Sequence, residues 1–451
     1  MSVDRERLAG LIERERGAYA ANFPRSRAAF AAAGGHLLGG VPMTWMRMWP
    51  GGFPVYQASA AGARVTDVDG HTFIDFCLGD TGAMAGHSPA AVREAVARRY
   101  SELGGATTML PTEDAAWVAG ELSRRFGAAR WSFTLTATDA NRWAIRLARQ
   151  LTGRPKILVY SYCYHGSVDE SFIVAGPDGP RSRAGNVGAP VDPAVTTRVV
   201  EFNDVAALER ELASGDVAAV LMEPALTNIG IVLPAPGYLD AVRALTRERG
   251  TLLINDETHT FSAGPGGCTR AWGLSPDMVT IGKAIAGGIP AGAYGLSEDL
   301  SERILGDSTA DIVDTGGVGG TLAGNALSVA AMRATLEGVL TDEAFGGMVE
   351  VATYYTAGVR AVLSSRSVPW HITQLGARAE YRFCPSPPLD GGSSAAAADP
   401  DLDEYLHLYT VNRGVLMTPF HNMALMCPAT TKADVDAHTA VFASAVDELA
   451  G

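Results

Sequence analysis

Apolar and polar positions follow two different periods along this chain. Between residues 3 and 33, Leu8, Leu11, Ile12, Tyr19 and Phe23 recur at near-helical spacing among charged residues, which predicts an amphipathic N-terminal arm. Residues 63–76 instead read as two short strands joined at Asp69-Gly70, a small antiparallel hairpin. Helical spacing returns over 90–102 and 112–126. Short apolar runs then appear at residues 156–160, 197–202, 217–222, 251–254 and 278–281, several of them separated by helical stretches. That alternation predicts a largely parallel sheet covered on both faces. A long helix is expected over 327–340, after a glycine-rich loop, and mixed α+β structure follows it. The low-complexity stretch from Gly391 to Pro400 reads as a surface loop.

Composition narrows the class. Hydrophobic residues make up 47% of the 451 positions and charged residues 19%, an ordinary balance for a globular protein. A net charge of −13, without a basic cluster, argues against a nucleic-acid surface. Cys77, Cys163, Cys268, Cys384 and Cys427 are scattered and lack CxxC spacing, so neither a disulfide framework nor a metal site is expected. The charged N-terminus does not read as a signal segment, and no apolar run approaches a membrane span. A soluble cytoplasmic protein is expected.

Two of the apolar runs carry chemistry at their C-terminal ends. The 251–254 run leads into Asn255-Asp256-Glu257, and the 278–281 run leads into Gly282-Lys283. Adjacent strand ends would set a carboxylate beside an amine, a seat for a cofactor whose ring needs an anionic partner and whose aldehyde needs an amine. Lysine is scarce here: only Lys156, Lys283 and Lys432 occur, and arginine supplies the remaining basic charge. Arginine cannot take the place of an amine that must lose its proton, so a lysine between glycines in apolar surroundings invites a chemical explanation. A surface lysine after a strand is the plainer alternative.

Further segments bear on an anion and a planar ring. Thr136-Ala137-Thr138-Asp139 opens a helix-forming stretch, where backbone N–H groups and hydroxyls suit a phosphate; the plainer alternative is that Thr136 or Thr138 is simply an N-cap. Tyr164-His165-Gly166 follows a strand end, where an aromatic ring can stack on a flat ligand or merely pack in the loop. Gly316 to Asn325, with Thr321, is a second glycine-rich turn before a helix. The apolar segment around Trp45 includes Arg47, which either belongs to a packing surface or holds a carboxylate. Arg378 and Arg382 are further carboxylate clamps in prospect, as is the more remote Arg413.

These segments, together with Glu223-Pro224 and the run from Pro276-Asp277 to Pro290, resemble the class III aminotransferases, fold-type I pyridoxal phosphate enzymes, close to their glutamate-1-semialdehyde aminomutase branch. The resemblance runs from about Val65 to Leu340. It implies an α/β large domain with a mainly parallel seven-stranded sheet between helices, over residues 76–330. A small α+β domain would come from the terminal segments, 1–75 and 331–451. It implies that Lys283 forms a Schiff base with pyridoxal 5'-phosphate, that Asp256 pairs with the pyridine nitrogen, and that Tyr164 stacks on the ring. Thr136, Ala137, Thr138, Asp139, His165 and Glu223 would line the cofactor. Thr321 would reach the phosphate of a neighbouring subunit, which implies a homodimer with shared sites. Arg47, Arg378 and Arg382 would serve the substrate.

The chain also departs from the family. Its helix start is Thr136-Ala137-Thr138-Asp139 where Ser-Gly-Thr-Glu is usual, which preserves donors and an acid. After Asp256-Glu257, the usual valine and a downstream arginine give way to Thr258-His259-Thr260-Phe261-Ser262-Ala263-Gly264. The arginine near the N-terminus is displaced by about one position, at Arg47, and the loop before Thr321 is richer in glycine. On these grounds a transaminase acting on an amino acid or amine and a keto acid or aldehyde is the first expectation. The 2,1-aminomutase, an isomerase, is the second. A dehydrogenase-type nucleotide fold would need a GxGxxG at a strand–helix junction, which is lacking.

Overall fold

The computed structural model describes residues 3–188, 192–306 and 320–450, so Gly316 to Gly319 of the glycine-rich loop fall outside the described residues. The chain divides into two compact units. The larger comprises residues 90–345 and 388–396, and the smaller comprises the segments before residue 90, at 346–387 and from 397 onward. The sequence placed the changes at 75/76 and 330/331; the units change at 89/90 and 345/346.

In the larger unit, seven strands form one sheet: β1 (Arg130–Thr134), β2 (Lys156–Tyr160), β3 (Thr197–Val200), β4 (Val217–Met222), β5 (Leu252–Asp256), β6 (Met278–Ile281) and β7 (Gly292–Leu296). Their order is β1-β7-β6-β5-β4-β2-β3. Strands β3, β2, β4, β5 and β6 run parallel, and β7 is antiparallel to both β6 and β1. Strand β5 therefore sits in the interior of the sheet, and its last residue, Asp256, pairs with Thr280 of β6. The acid and the lysine end up at neighbouring strand ends.

Period-two alternation decides which side chains meet which layer. Ile157, Val159, Ala219, Leu221, Ile254 and Met278 face a layer that includes Trp143, Ala144, Leu147 and Ala148 of the Ala137–Thr152 helix. Leu158, Tyr160, Val220, Met222 and Leu253 face the opposite layer, with Leu208, Leu212, Tyr238 and Val242. Both faces are covered, so an interior strand such as β4 reads as an unbroken apolar run, and each fully buried large aliphatic side chain stabilises by about 1.5–3 kcal/mol.

Two expectations need correction. The helix expected over 90–102 ends at Ala97 and continues through Leu103 as a wider π-type turn. The low-complexity stretch is no surface loop: Gly391–Ala396 forms a short helix with Gly391 and Ser394 buried. The Gly392 amide donates to Glu201 at 3.2 Å, and the Ser394 hydroxyl donates to the Ile229 carbonyl. Small side chains let this segment pack closely within the larger unit.

The smaller unit holds the N-terminal helices Arg5–Asn22 and Pro24–Ala33, the hairpin strands Arg64–Asp67 and Thr72–Asp75, and the C-terminal helix Lys432–Ala450. A separate three-stranded antiparallel sheet combines His371–Leu375, Arg378–Arg382 and Met423–Leu425. Among the described residues, no helix is long and apolar enough to cross a membrane.

Candidate active site

Asp256 is buried at the end of β5, and its partners hold it as an anion. His165 Nδ1 lies 2.9 Å from Oδ2, the Asn141 side-chain amide donates to the same oxygen at 2.8 Å, and the Thr258 amide donates to Oδ1 at 3.0 Å. Burial pushes the carboxyl up, but His165, Thr258 and Asn141 outweigh it and hold Asp256 below the usual carboxylate range. For His165, burial opposes the imidazolium, while Cys163 and Asp256 outweigh that and hold it well above the usual histidine range. The result is a buried ion pair with a fixed orientation.

Asn141 carries no role in the sequence reading, yet it ties four elements together. Its amide also donates to the His165 carbonyl at 3.1 Å, and its Oδ1 accepts from the Thr280 hydroxyl at 2.6 Å. The helix that bears it, the loop after β2, and strands β5 and β6 are thus joined through one side chain. A signal was available in the sequence, since a fully buried asparagine falls on the apolar stripe formed with Ala144, Ile145 and Ala148.

The helix start is drawn against the lysine. Thr136 is the N-cap: its hydroxyl accepts from the Asp139 amide at 3.2 Å and donates to Asp139 Oδ2 at 3.0 Å, so the capping alternative describes this threonine. The first-turn amides of Ala137 and Thr138 come next, at the positive end of the helix dipole. A Cβ on Gly282 would lie 2.8 Å from the Ala137 nitrogen, so only glycine lets the backbone before Lys283 pass there. Lys283 itself has φ of +48°, a left-handed conformation unfavourable for a side-chain-bearing residue and characteristic of functional sites.

Thr138 also receives the loop after β2, its Oγ1 accepting from the Ser167 amide at 3.1 Å. Gly166, at φ of +78°, packs so tightly that a Cβ would lie 2.0 Å from that oxygen. Gly166→Ala is therefore expected to cost about 1–3 kcal/mol through overpacking, and to lower the melting temperature by about 1–3 °C. Calorimetry checks this, and an unchanged transition would mean that the loop does not rest on Thr138.

Tyr164 is half-buried between Cys163 and His165, and buried Glu223 accepts from the Thr227 hydroxyl. Thr321 lies exposed in the Gly320–Leu322 turn. One side chain absent from the expected set reaches the lysine directly: His259 Nε2 lies 2.7 Å from Lys283 Nζ.

The three arginines expected to serve the substrate all belong to the smaller unit. Arg47 is exposed and lies over Gly39. Arg378 and Arg382 alternate with buried Glu380 along one face of their strand; Arg378 Nη2 lies 3.8 Å from Glu380 Oε2, and His421 Nδ1 lies 3.2 Å from Oε1. Burial pushes the Glu380 carboxyl up, while His421 and the two arginines outweigh it and bring it below its usual range. Both arginines thus take part in a buried polar cluster.

A model of the aminotransferase class-III family matches residues 49–446. Glutamate-1-semialdehyde 2,1-aminomutase from Anaeromyxobacter sp. (strain Fw109-5) is 31% identical over 411 residues, covering 88% of this chain and 92% of that protein. A solved glutamate-1-semialdehyde-aminomutase from Pseudomonas aeruginosa PAO1 is 48% identical, with a TM-score of 0.96 over 100% of both chains. An omega-transaminase from Sphaerobacter thermophilus is 28% identical, with a TM-score of 0.85 over 94% of this chain and 98% of the other. The match to the family model spans most of the sequence, and the likeness to an aminomutase extends over the whole fold: the chain belongs to the class-III aminotransferase family.

Proposed function

We propose that this protein is a pyridoxal phosphate-dependent 2,1-aminomutase, an isomerase that moves an amino group between neighbouring carbons of one small molecule of the glutamate-1-semialdehyde kind. The observation that carries the reading is the 48% identity over 100% of both chains to a glutamate-1-semialdehyde-aminomutase. This reverses the order drawn from sequence, where transfer between two molecules came first.

The residues present suit the cofactor. Asp256, buried yet anionic, provides the negative partner that a protonated ring nitrogen requires, and His165, Asn141 and the Thr258 amide fix its direction. The first-turn amides at Ala137 and Thr138, with the Thr138 hydroxyl, provide donors for a phosphate, while Thr136 and Asp139 brace the turn. Tyr164 would stack on the ring, Glu223 would line the cofactor, and Thr321 would serve the phosphate of a second copy in a homodimer. Pyridoxal phosphate, when bound, supplies an aldehyde for a lysine amine and a ring that accepts electrons from a substrate carbon. Lys283 would hold that aldehyde and, once free of it, would serve as the proton carrier at Nζ. Arg47, Arg378 or Arg382 holds the substrate carboxylate.

Residues after Asp256-Glu257 favour a second reading, transamination, because the arginine usual there is missing. Substrate balance separates the two. The purified holoenzyme, given an amino-semialdehyde and no carbonyl acceptor, is expected to convert it through many turnovers to the isomer. Conversion limited to about one equivalent per site, restored only by adding a keto acid, would replace the aminomutase with a transaminase.

A further inference from the structure

Two turns pinned by independent contacts bring the His259 imidazole to Lys283. On one side, buried Glu257 accepts from the Thr269 amide at 2.6 Å, the Cys268 amide at 3.0 Å and the Thr260 hydroxyl at 2.5 Å. Its own amide donates to the Thr280 carbonyl at 2.8 Å, and the Thr258 amide is fixed on Asp256. His259, nearly buried at 8% exposure, is held between these anchors. On the other side, the packing of Gly282 on Ala137 and the left-handed backbone at Lys283 fix the root of the lysine. The 2.7 Å approach of Nε2 to Nζ is therefore imposed from both ends.

The chemistry of the pair is restricted. An ammonium group has only protons to donate, and a neutral imidazole nitrogen can accept one and hold it near neutral pH. Asp256 is held by His165, and Glu257 accepts from the 268–269 amides. Burial holds the Cys268 thiol protonated.

The geometry points to His259 as a positioning residue and proton partner for Lys283: its Nε2 orients the amine and takes one proton from Nζ as the amine becomes a nucleophile toward an aldehyde. As the carbon–nitrogen linkage forms, the carbonyl oxygen would leave as water with the two hydrogens that Nζ gives up, one of them by way of Nε2, so His259 ends neutral and charge and atoms balance without any other reactant. The inference rests on the reading that Lys283 is the cofactor-bearing lysine.

The test follows the rate at which the full-length chain, stripped of cofactor, forms its covalent lysine linkage after mixing with pyridoxal phosphate. Borohydride reduction and peptide mapping locate the linkage among only three lysines. His259→Ala is expected to slow linkage about 100-fold, and free imidazole to restore it in proportion to the neutral imidazole present. His259→Gln keeps a hydrogen-bonding group but cannot hold a proton. It should retain the wild-type melting temperature, form the linkage as slowly as His259→Ala, and decide the matter if the alanine variant fails to fold. Wild-type rates in both variants, or in the glutamine variant alone if the alanine variant does not fold, would overturn the inference while leaving Lys283 in place. So would a slow alanine variant that imidazole does not restore. A linkage mapped to Lys156 or Lys432 in the wild type would overturn the reading beneath it as well.

Discussion

Lys283→Ala is expected to abolish the visible absorbance of lysine-bound cofactor and to reduce turnover at least about 1,000-fold. Two losses combine in that figure. The amine is the covalent attachment point, and loss of a positioned proton carrier alone removes about 100- to 10,000-fold. Stability should change little, because the lysine is only half-buried and its left-handed backbone does not depend on the amine. Pyridoxal phosphate should still bind without a covalent bond, since Asp256 and the helix start are untouched. Arginine at this position should fare no better, because it remains charged. Absorbance spectra and single-turnover rates of the purified variant decide the matter.

Asp256→Asn should lower turnover about 100- to 1,000-fold while leaving the lysine linkage in place, because a neutral amide cannot keep the ring nitrogen protonated. It should also destabilise the fold by about 3–5 kcal/mol, since His165 stays buried without its anion. The pH dependence follows from the two shifts. Asp256 is lowered in the folded state, so its contribution is present above the unfolded carboxyl value of about 3.9 and is lost as the pH falls through the folded value. His165 is raised, so its contribution is full below the unfolded value of about 6.5 and is lost as the pH rises through the folded value. The difference in melting temperature between wild type and Asp256→Asn should therefore be greatest between about pH 4 and 6.5. A difference that grew on acidification below pH 4 would contradict the ion pair.

The centre of the sheet was legible because strands covered on both faces keep unbroken apolar runs; Val217–Met222 and Met278–Ile281 stand where the pattern put them. Asp256 and Lys283 were legible for the same reason, as the polar residues at which those runs stop. The β7 strand was not, because Gly292 and Gly295 weaken the strand signal. Gly295 is needed there since a Cβ would lie 2.7 Å from the Trp131 ring. Asn141 escaped notice because a buried polar residue acquires meaning only when Asp256 and Thr280 arrive from distant segments. His259 was visible solely as a departure from a pattern. The arginines were legible as charges, but the pairing of Arg378 with Glu380 needs the strand assignment, which puts residues two apart on one face.

The most direct measurement on the central claim is reduction of the holoenzyme with borohydride followed by peptide mass mapping. The account predicts one cofactor adduct per chain, on Lys283. An adduct on Lys156 or Lys432, or none on a chain that nevertheless converts its substrate, would contradict it.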